Sequence, residues 1–337
     1  MEQKKLGCSR LTTAYYRAGE HNPEKLLLLH GNVSSSAFYL PLIPALAKRF
    51  DVVAPDLRCF GGSDALPVDA TRGLRDWSDD IDEFVTALGW DSFAFAGWSM
   101  GGGVAMQYAI DHGEKLTGLI LISPLSPYGF GGTKGETGEK LEPVGLASGG
   151  GCVNPQLIDA IAHNKRDFLL QTLNGLYFAP PFRMEAWEER FLDAMASTKV
   201  GEGMYPGDGA PCGVWPNVVS GAHGVNNTMS PAYCDLSPLA DIPAKPPVLW
   251  LRGDRDLIVS DGSMCDFPFL GKLGAVPGWP GDEVCPPQPM LAQTRHVLDR
   301  YAKNGGKYTE KVFEGAGHGC HLEQPESFIN AVFALLD

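Results

Sequence analysis

Basic side chains are in short supply. Lysine and arginine total 27 against 40 aspartates and glutamates, a net charge of −13. So acidic a chain has no extended basic face for nucleic acid or for an anionic membrane surface. Long apolar runs are missing as well. No stretch approaches the roughly 18 apolar residues of a membrane span, and the amino-terminal "MEQKKLGCSRLTT" holds no run of signal-peptide length. The expected compartment is the cytoplasm. Cysteine is sparse, eight in 337 residues, with no Cys-x-x-Cys pair. That excludes a disulfide scaffold and leaves no zinc-site spacing. Only Cys212, Cys234, Cys265 and Cys285 are left open for pairing, because all four lie in irregular Pro- and Gly-rich sequence. The glycine-rich run 129–151 suggests a mobile entrance but lacks the strand-then-helix context of a phosphate-binding loop. No metal and no cofactor is expected.

What the sequence does have is rhythm. "KLLLLHG" at 26–30, "FDVVAPD" at 51–55, "SFAFAGWS" and "LTGLILIS" are apolar at nearly every position. Such runs suit strands of a parallel sheet covered on both faces. Between them, Leu74, Trp77, Ile81, Phe84, Val85 and Leu88 recur at helical steps. Strands alternating with helices imply an α/β fold with a mostly parallel central sheet flanked by helices. After Ser123 the rhythm breaks, and it resumes at "PPVLWLRGDRD". Residues 1–123 and 246–337 are therefore expected to form one core. Residues 124–245 would be an inserted cap over the carboxyl ends of the strands, where ligands bind in open α/β sheets. A further irregular piece, 260–289, interrupts the second part of the core. It and the cap could form the interface of a homo-oligomer.

"GWSMGG" at 97–102 lies between a strand and a helix, the context of a nucleophile elbow. Flanking glycines let strand and helix approach, and the N–H of Met100 follows the serine. Alone, Gly-x-Ser-x-Gly is a weak signal, since glycine and serine gather in turns. A serine hydroxyl needs a base, and "GAGHGC" offers His318 after the last strand. The histidine needs an orienting carboxylate, and "WLRGDRDLIV" offers Asp256 or Asp254. Ser, Asp and His in that chain order, each after a strand, are far more specific than any one of them.

With these pieces the sequence resembles the α/β-hydrolase superfamily with a serine nucleophile. The resemblance rests on "LLLHGN", "VVAPDLRCFGGSD", "FAGWSMGGGVAMQYA", "VLWLRGDRDLIV" and "GAGHGCHLEQPESF", over 26–123 and 247–336. It implies Ser99 as nucleophile, His318 as base and Asp256 as acid, the acid standing three residues after the glycine. It implies an oxyanion hole from Asn32, in the "HGN" loop, and Met100. Cys59 departs from the family pattern, which usually has glycine there. Relatives that open epoxides or displace halides use an aspartate nucleophile, which Ser99 is not.

The expected activity is hydrolysis of a carboxylic ester or lactone of a moderately large, apolar small molecule through an acyl-enzyme. The alternatives are carbon–carbon bond or amide hydrolysis with the same triad, or a slow-turnover ligand receptor. Trp98, Tyr128, Phe130, Tyr205 and Trp215 are candidate substrate-binding residues. His30 and His321 read as structural. So do Phe38, Tyr39 and the stripe Trp187, Phe191 and Met195. His223, Asn226 and Asn227 read as a solvated loop.

Overall fold

The computed structural model of the chain describes residues 1–148 and 152–337; the end of the glycine-rich run, 149–151, lies outside them. Eight strands form one sheet: β1 (Lys4–Gly7), β2 (Thr12–Ala18), β3 (Glu24–Leu29), β4 (Phe50–Pro55), β5 (Phe93–Trp98), β6 (Leu116–Ile122), β7 (Val248–Gly253) and β8 (Tyr308–Phe313). Their order is β1-β2-β4-β3-β5-β6-β7-β8. From β4 to β8 every pairing is parallel, whereas β2 runs antiparallel to both β1 and β4. Leu26–Leu29, Phe93–Trp98 and Leu119–Ile122 are fully buried, as strands covered on both faces must be. β1 and β2 left no trace in the periodicity. β1 is an exposed edge, and "TTAYYRA" earns its strand from pairing with β4 rather than from an apolar run.

Helices cover the sheet. α1 (Arg75–Ala87) turns Trp77, Ile81, Phe84 and Val85 inward. It also buries Asp80, whose charge is compensated by Arg58 and Arg10, each at 2.7 Å. α2 (Met100–His112) follows β5 directly and packs through Gly101, Gly102 and Gly103. α6 (Met290–Lys303) and α7 (Pro325–Leu336) close the second half.

The chain leaves the sheet at the end of β6 and returns at β7, so 123–247 adds no strand to it. This excursion carries α3 (Pro155–Ala162), α4 (Arg166–Thr172), a π-helical turn (Leu173–Tyr177) and α5 (Glu188–Ala196). Phe191 and Met195 of α5 are fully buried, and Phe191 stacks on Phe38 at 4.3 Å. Phe38 belongs to the helical turn Ser36–Tyr39 beyond β3, so the excursion rests on loops at the carboxyl ends of the strands. A second, small cluster (Leu141, Leu146, Ala147 and Cys285, with Trp215 and Trp279) ties the excursion to the segment after β7. All eight cysteines are free, including Cys212, Cys234, Cys265 and Cys285, which closes the pairing question left by the sequence. Among the described residues no helix is long and apolar enough to cross a membrane.

Candidate active site

Ser99 stands between β5 and α2 with φ 58° and ψ −122°. A non-glycine residue there is strained and persists only where its surroundings hold it. The holding is visible in the glycines. A Cβ on Gly97 would meet the Gly101 carbonyl oxygen at 2.2 Å, and one on Gly101 would meet the His30 oxygen at 2.4 Å. Ser99 N–H donates to the Ile122 oxygen at 2.9 Å, and its own carbonyl accepts from Gly102 and Leu125. The turn is therefore braced from β6 and from its own helix.

The loop after β3 lies against this turn: a Cβ on Gly31 would come within 2.6 Å of Ser99 Cβ. His30 is fully buried and shapes that loop. Its Nε2 accepts from Leu57 N–H at 3.0 Å, so Nδ1 carries the proton and donates to the Gly31 oxygen at 2.8 Å. Ser34 donates to the same oxygen at 2.8 Å. Among the described residues, no group accepts from the main-chain N–H of Asn32 or of Met100. Two donors beside the serine are thus uncommitted.

His318 follows β8, fully buried, with Nδ1 2.8 Å from Asp256 Oδ2. The other oxygen of Asp256 accepts from the N–H groups of Ile258 and Val259 at 2.8 and 3.0 Å. The carboxylate is held on both sides and fixes the proton on Nδ1, leaving Nε2 as a lone-pair acceptor. Nε2 has no hydrogen-bond partner among the described residues. Asp254, the other carboxylate the sequence allowed, is exposed and accepts from Gly315 N–H at 2.7 Å. It braces the turn that precedes His318 and does not reach the ring.

Other residues fall differently from the sequence reading. Trp98 is 1% exposed and donates its indole N–H to the His318 carbonyl at 2.9 Å. It packs beneath the elbow, against His318 and His321, and is no wall of an open pocket. Tyr128 lines a separate cavity of about 400 Å³ together with Thr133, Lys140, His296 and Arg300. Trp215 donates to the Pro277 oxygen at 2.8 Å and belongs to the small second cluster. Phe130 is half-buried and held through its N–H on the Met229 oxygen. Neither hydrogen bonds nor ring contacts join Tyr128, Phe130 or Trp215 to Ser99, His318 or Asp256.

Tyr205 is buried, which raises its hydroxyl pKa. Asn226, a residue the sequence reading placed in solvent, accepts from Asn32 Nδ2 at 2.7 Å. Asn227 is fully buried, and only His223 is exposed as expected. Tyr177 was missed outright. Its hydroxyl accepts from Val33 N–H at 2.7 Å, and its carbonyl accepts from Gly319 N–H at 2.7 Å. A tyrosine at the end of the turn Leu173–Tyr177 gives no local signal of such a role. His321 packs against Trp98, Tyr39 and Phe328, and burial holds its pKa down to about 3. Cys59 adopts φ 72°, which explains why glycine is the usual residue there. Among the described residues no group of three or more His, Cys, Asp or Glu is arranged to hold a metal.

Known proteins resemble the chain in part of its sequence and across its fold. The chain is 36% identical over 108 residues to a soluble epoxide hydrolase of Corynebacterium sp., covering 32% of this chain and 36% of that protein. It is 33% identical over 120 residues to haloalkane dehalogenase 2 of Mycobacterium tuberculosis, covering 36% and 41%. The chain thus matches little more than a third of the length of these curated relatives. Solved structures match along the whole chain. An esterase from Rhodococcus sp. aligns at TM-score 0.64 with 20% identity, covering 100% of this chain and 98% of that one. An enol-lactonase from Burkholderia xenovorans aligns at 0.60 with 18% identity, covering 99% of each. At these identities the structures speak for the fold alone. The model of the Alpha/beta hydrolase family matches residues 26–331, and the chain belongs to that family.

Proposed function

We propose that this protein is a serine hydrolase that cleaves a carboxylic ester or lactone through an acyl-enzyme on Ser99. One observation carries the reading: a strained serine with two uncommitted N–H donors beside it, in the same structure as a buried His318–Asp256 pair at 2.8 Å. Displacement of halide or opening of an epoxide through a carboxylate ester is not open to a hydroxyl at position 99.

Ser99 Oγ attacks the carbonyl carbon as His318 Nε2 takes its proton. The new oxyanion receives hydrogen bonds from the N–H groups of Met100 and Asn32, donors already in place before the charge forms. Asp256 accepts from Nδ1–H and stabilises the imidazolium. His318 then gives the proton to the leaving oxygen as the carbon–oxygen bond breaks. Water adds to the acyl carbon, its proton passing to Nε2 and then to Ser99 Oγ as the acid departs. The approach of Nε2 to Oγ tightens in the substrate complex, as catalytic hydrogen bonds do. The excursion acts as a cap over this site; its contacts with the loops at 31–33 and 317–319 support that reading.

The test is a fluorophosphonate probe on the wild type and on Ser99→Ala, followed by aryl esters of rising acyl length and a set of lactones. Labelling and turnover in the wild type alone sustain the proposal, and the acyl-length profile sizes the pocket. Labelling without ester turnover redirects the search to amides and diketones, and then to a receptor. A wild type that does not label, or a Ser99→Ala variant that keeps its activity, overturns it.

A further inference from the structure

We infer that Tyr177 is a positioning residue that sets the oxyanion donor of Asn32 and links it to the His318 loop. The inference rests on the serine-hydrolase reading and adds to it how the excursion takes part.

Tyr177 closes the π-helical turn Leu173–Tyr177, which ends α4 and rotates this side chain toward the sheet. The ring is 4% exposed and sits among Trp98 (5.6 Å), Phe38 (6.1 Å) and His318 (6.2 Å). Among the described residues, its hydroxyl is the side-chain group that meets both the C=O and the N–H of the peptide after Asn32. It accepts from Val33 N–H at 2.7 Å and faces the carbonyl oxygens of Asn32 at 3.1 Å and Val33 at 3.0 Å, one of which takes its single proton. The Asn32 N–H lies in the 31–32 peptide, which His30 and Ser34 hold through the Gly31 oxygen; the phenol fixes the 32–33 peptide and so holds the donor residue from its other side. No other side-chain hydrogen bond reaches Val33 N–H, so nothing replaces the phenol if it is lost.

The same residue reaches the base. The Tyr177 carbonyl accepts from Gly319 N–H at 2.7 Å. Two residues on, Ala179 N–H donates to one oxygen of Glu323 at 3.1 Å while Gly317 N–H donates to the other at 2.7 Å. The fit is close: a Cβ on Gly317 would lie 2.8 Å from Ala179 N, and one on Gly319 would lie 2.9 Å from the Phe178 ring. Residues 177–179 therefore clasp both neighbours of His318 with main-chain and carboxylate bonds, and hold the oxyanion loop with one phenol. An excursion displaced from the sheet would release both at once.

The variant is Tyr177→Phe, which removes the hydroxyl and keeps the ring. Two quantities are compared with the wild type: kcat and KM on an aryl ester, and inhibition by phenylboronic acid, whose tetrahedral adduct with Ser99 places an oxygen in the oxyanion hole. A misaimed donor should lower kcat by roughly 10- to 100-fold, short of the roughly 100- to 1000-fold cost of deleting one. KM should change little, and boronate inhibition should weaken by a factor similar to that in kcat/KM. Loss of kcat with undiminished boronate inhibition, or wild-type kcat, overturns the inference. Should Tyr177→Phe fail to fold, Glu323→Gln serves, since it leaves one acceptor oxygen for the N–H groups of Ala179 and Gly317, which have one each in the wild type. The same joint loss is then expected at a few-fold, and wild-type boronate inhibition in that variant refutes the coupling. Fluorophosphonate labelling of the wild type keeps the two proposals apart: if it labels and Tyr177→Phe behaves as wild type, only the role of Tyr177 falls.

Discussion

The core and the excursion bring different things to the proposed site. The core supplies Ser99, Asp256 and His318 from three loops that directly follow strands β5, β7 and β8. Each is fixed by its own neighbourhood: Ser99 by glycines that admit no Cβ, Asp256 by the N–H groups two and three residues on, His318 by Asp256 and Trp98. The excursion supplies Tyr177 and Asn226, whose bonds reach the core loop at 31–33 from outside. Its bonds span 144 residues from Tyr177 to Val33 and 194 from Asn226 to Asn32. In the proposed reading the core carries the reacting groups and the excursion sets how well they are aimed. Variants in the two regions should separate accordingly.

The sharpest break is at the nucleophile. Ser99→Ala should lower kcat by roughly 10⁴- to 10⁶-fold on any substrate the wild type turns over, with the fold intact by circular dichroism. Asp256→Asn should cost roughly 10⁴-fold by letting His318 take the wrong tautomer. Asp254→Asn, measured in the same assay, should leave kcat close to wild type, because that carboxylate meets only Gly315 N–H. A large loss at Asp254 and none at Asp256 would reverse the assignment.

Excursion variants should fall well below these. Asn226→Ala removes the partner of Asn32 Nδ2 and should lower kcat roughly 3- to 10-fold, in keeping with about 0.5–1.5 kcal/mol for one net hydrogen bond. A loss as large as that of Asp256→Asn would place Asn226 among the reacting groups and erase the distinction between the regions.

Stability against pH sharpens the contrast where the two regions meet. Burial first, and the neighbouring His318 second, hold His321 down to about 3 from its ordinary 6.5. The unfolded chain takes up that proton below 6.5 and the native protein does not. This group's contribution is therefore complete above 6.5 and is lost on acidification toward 3, at about 1.4 kcal/mol per pH unit. His321→Phe should flatten that decline in urea titrations between pH 6.5 and 4. Glu323 has the opposite sign. Burial raises it to about 7 from 4.5, so the native acid keeps its proton where the unfolded one has lost it. Its contribution is present below 4.5 and fades as pH rises through 7, and Glu323→Gln should remove that fall. The smallest effect expected is a null one: thiol titration of the denatured, unreduced protein should count eight.

Much of the core was legible because its signals are local. Buried parallel strands read as apolar runs, and α1 reads as a stripe at helical steps. β1 and β2 escaped because an antiparallel edge needs no such run. In the excursion the buried faces of α5 were readable, but the aromatic residues singled out in its loops were not separable by sequence. Tyr205 is buried, whereas Tyr128 lines a separate cavity and Trp215 packs in the small second cluster. Asn226 and Asn227 looked like solvated loop residues because polarity cannot distinguish a side chain facing water from one facing another loop.

The sequence by itself determined the order of the strands' apolar runs, the elbow around Ser99 and the two other loops from which the acid and the base come. These depend on spacing, on glycine where no Cβ fits, and on residue chemistry within a few positions. Only the tertiary structure brought Asp256 and not Asp254 against His318, committed the Trp98 indole to the His318 carbonyl, and brought Tyr177 and Asn226 to the loop at 31–33. Those outcomes depend on which groups meet across long separations in the chain, where a hydrogen bond of about 3 Å is set by packing and leaves no mark on the neighbouring residues.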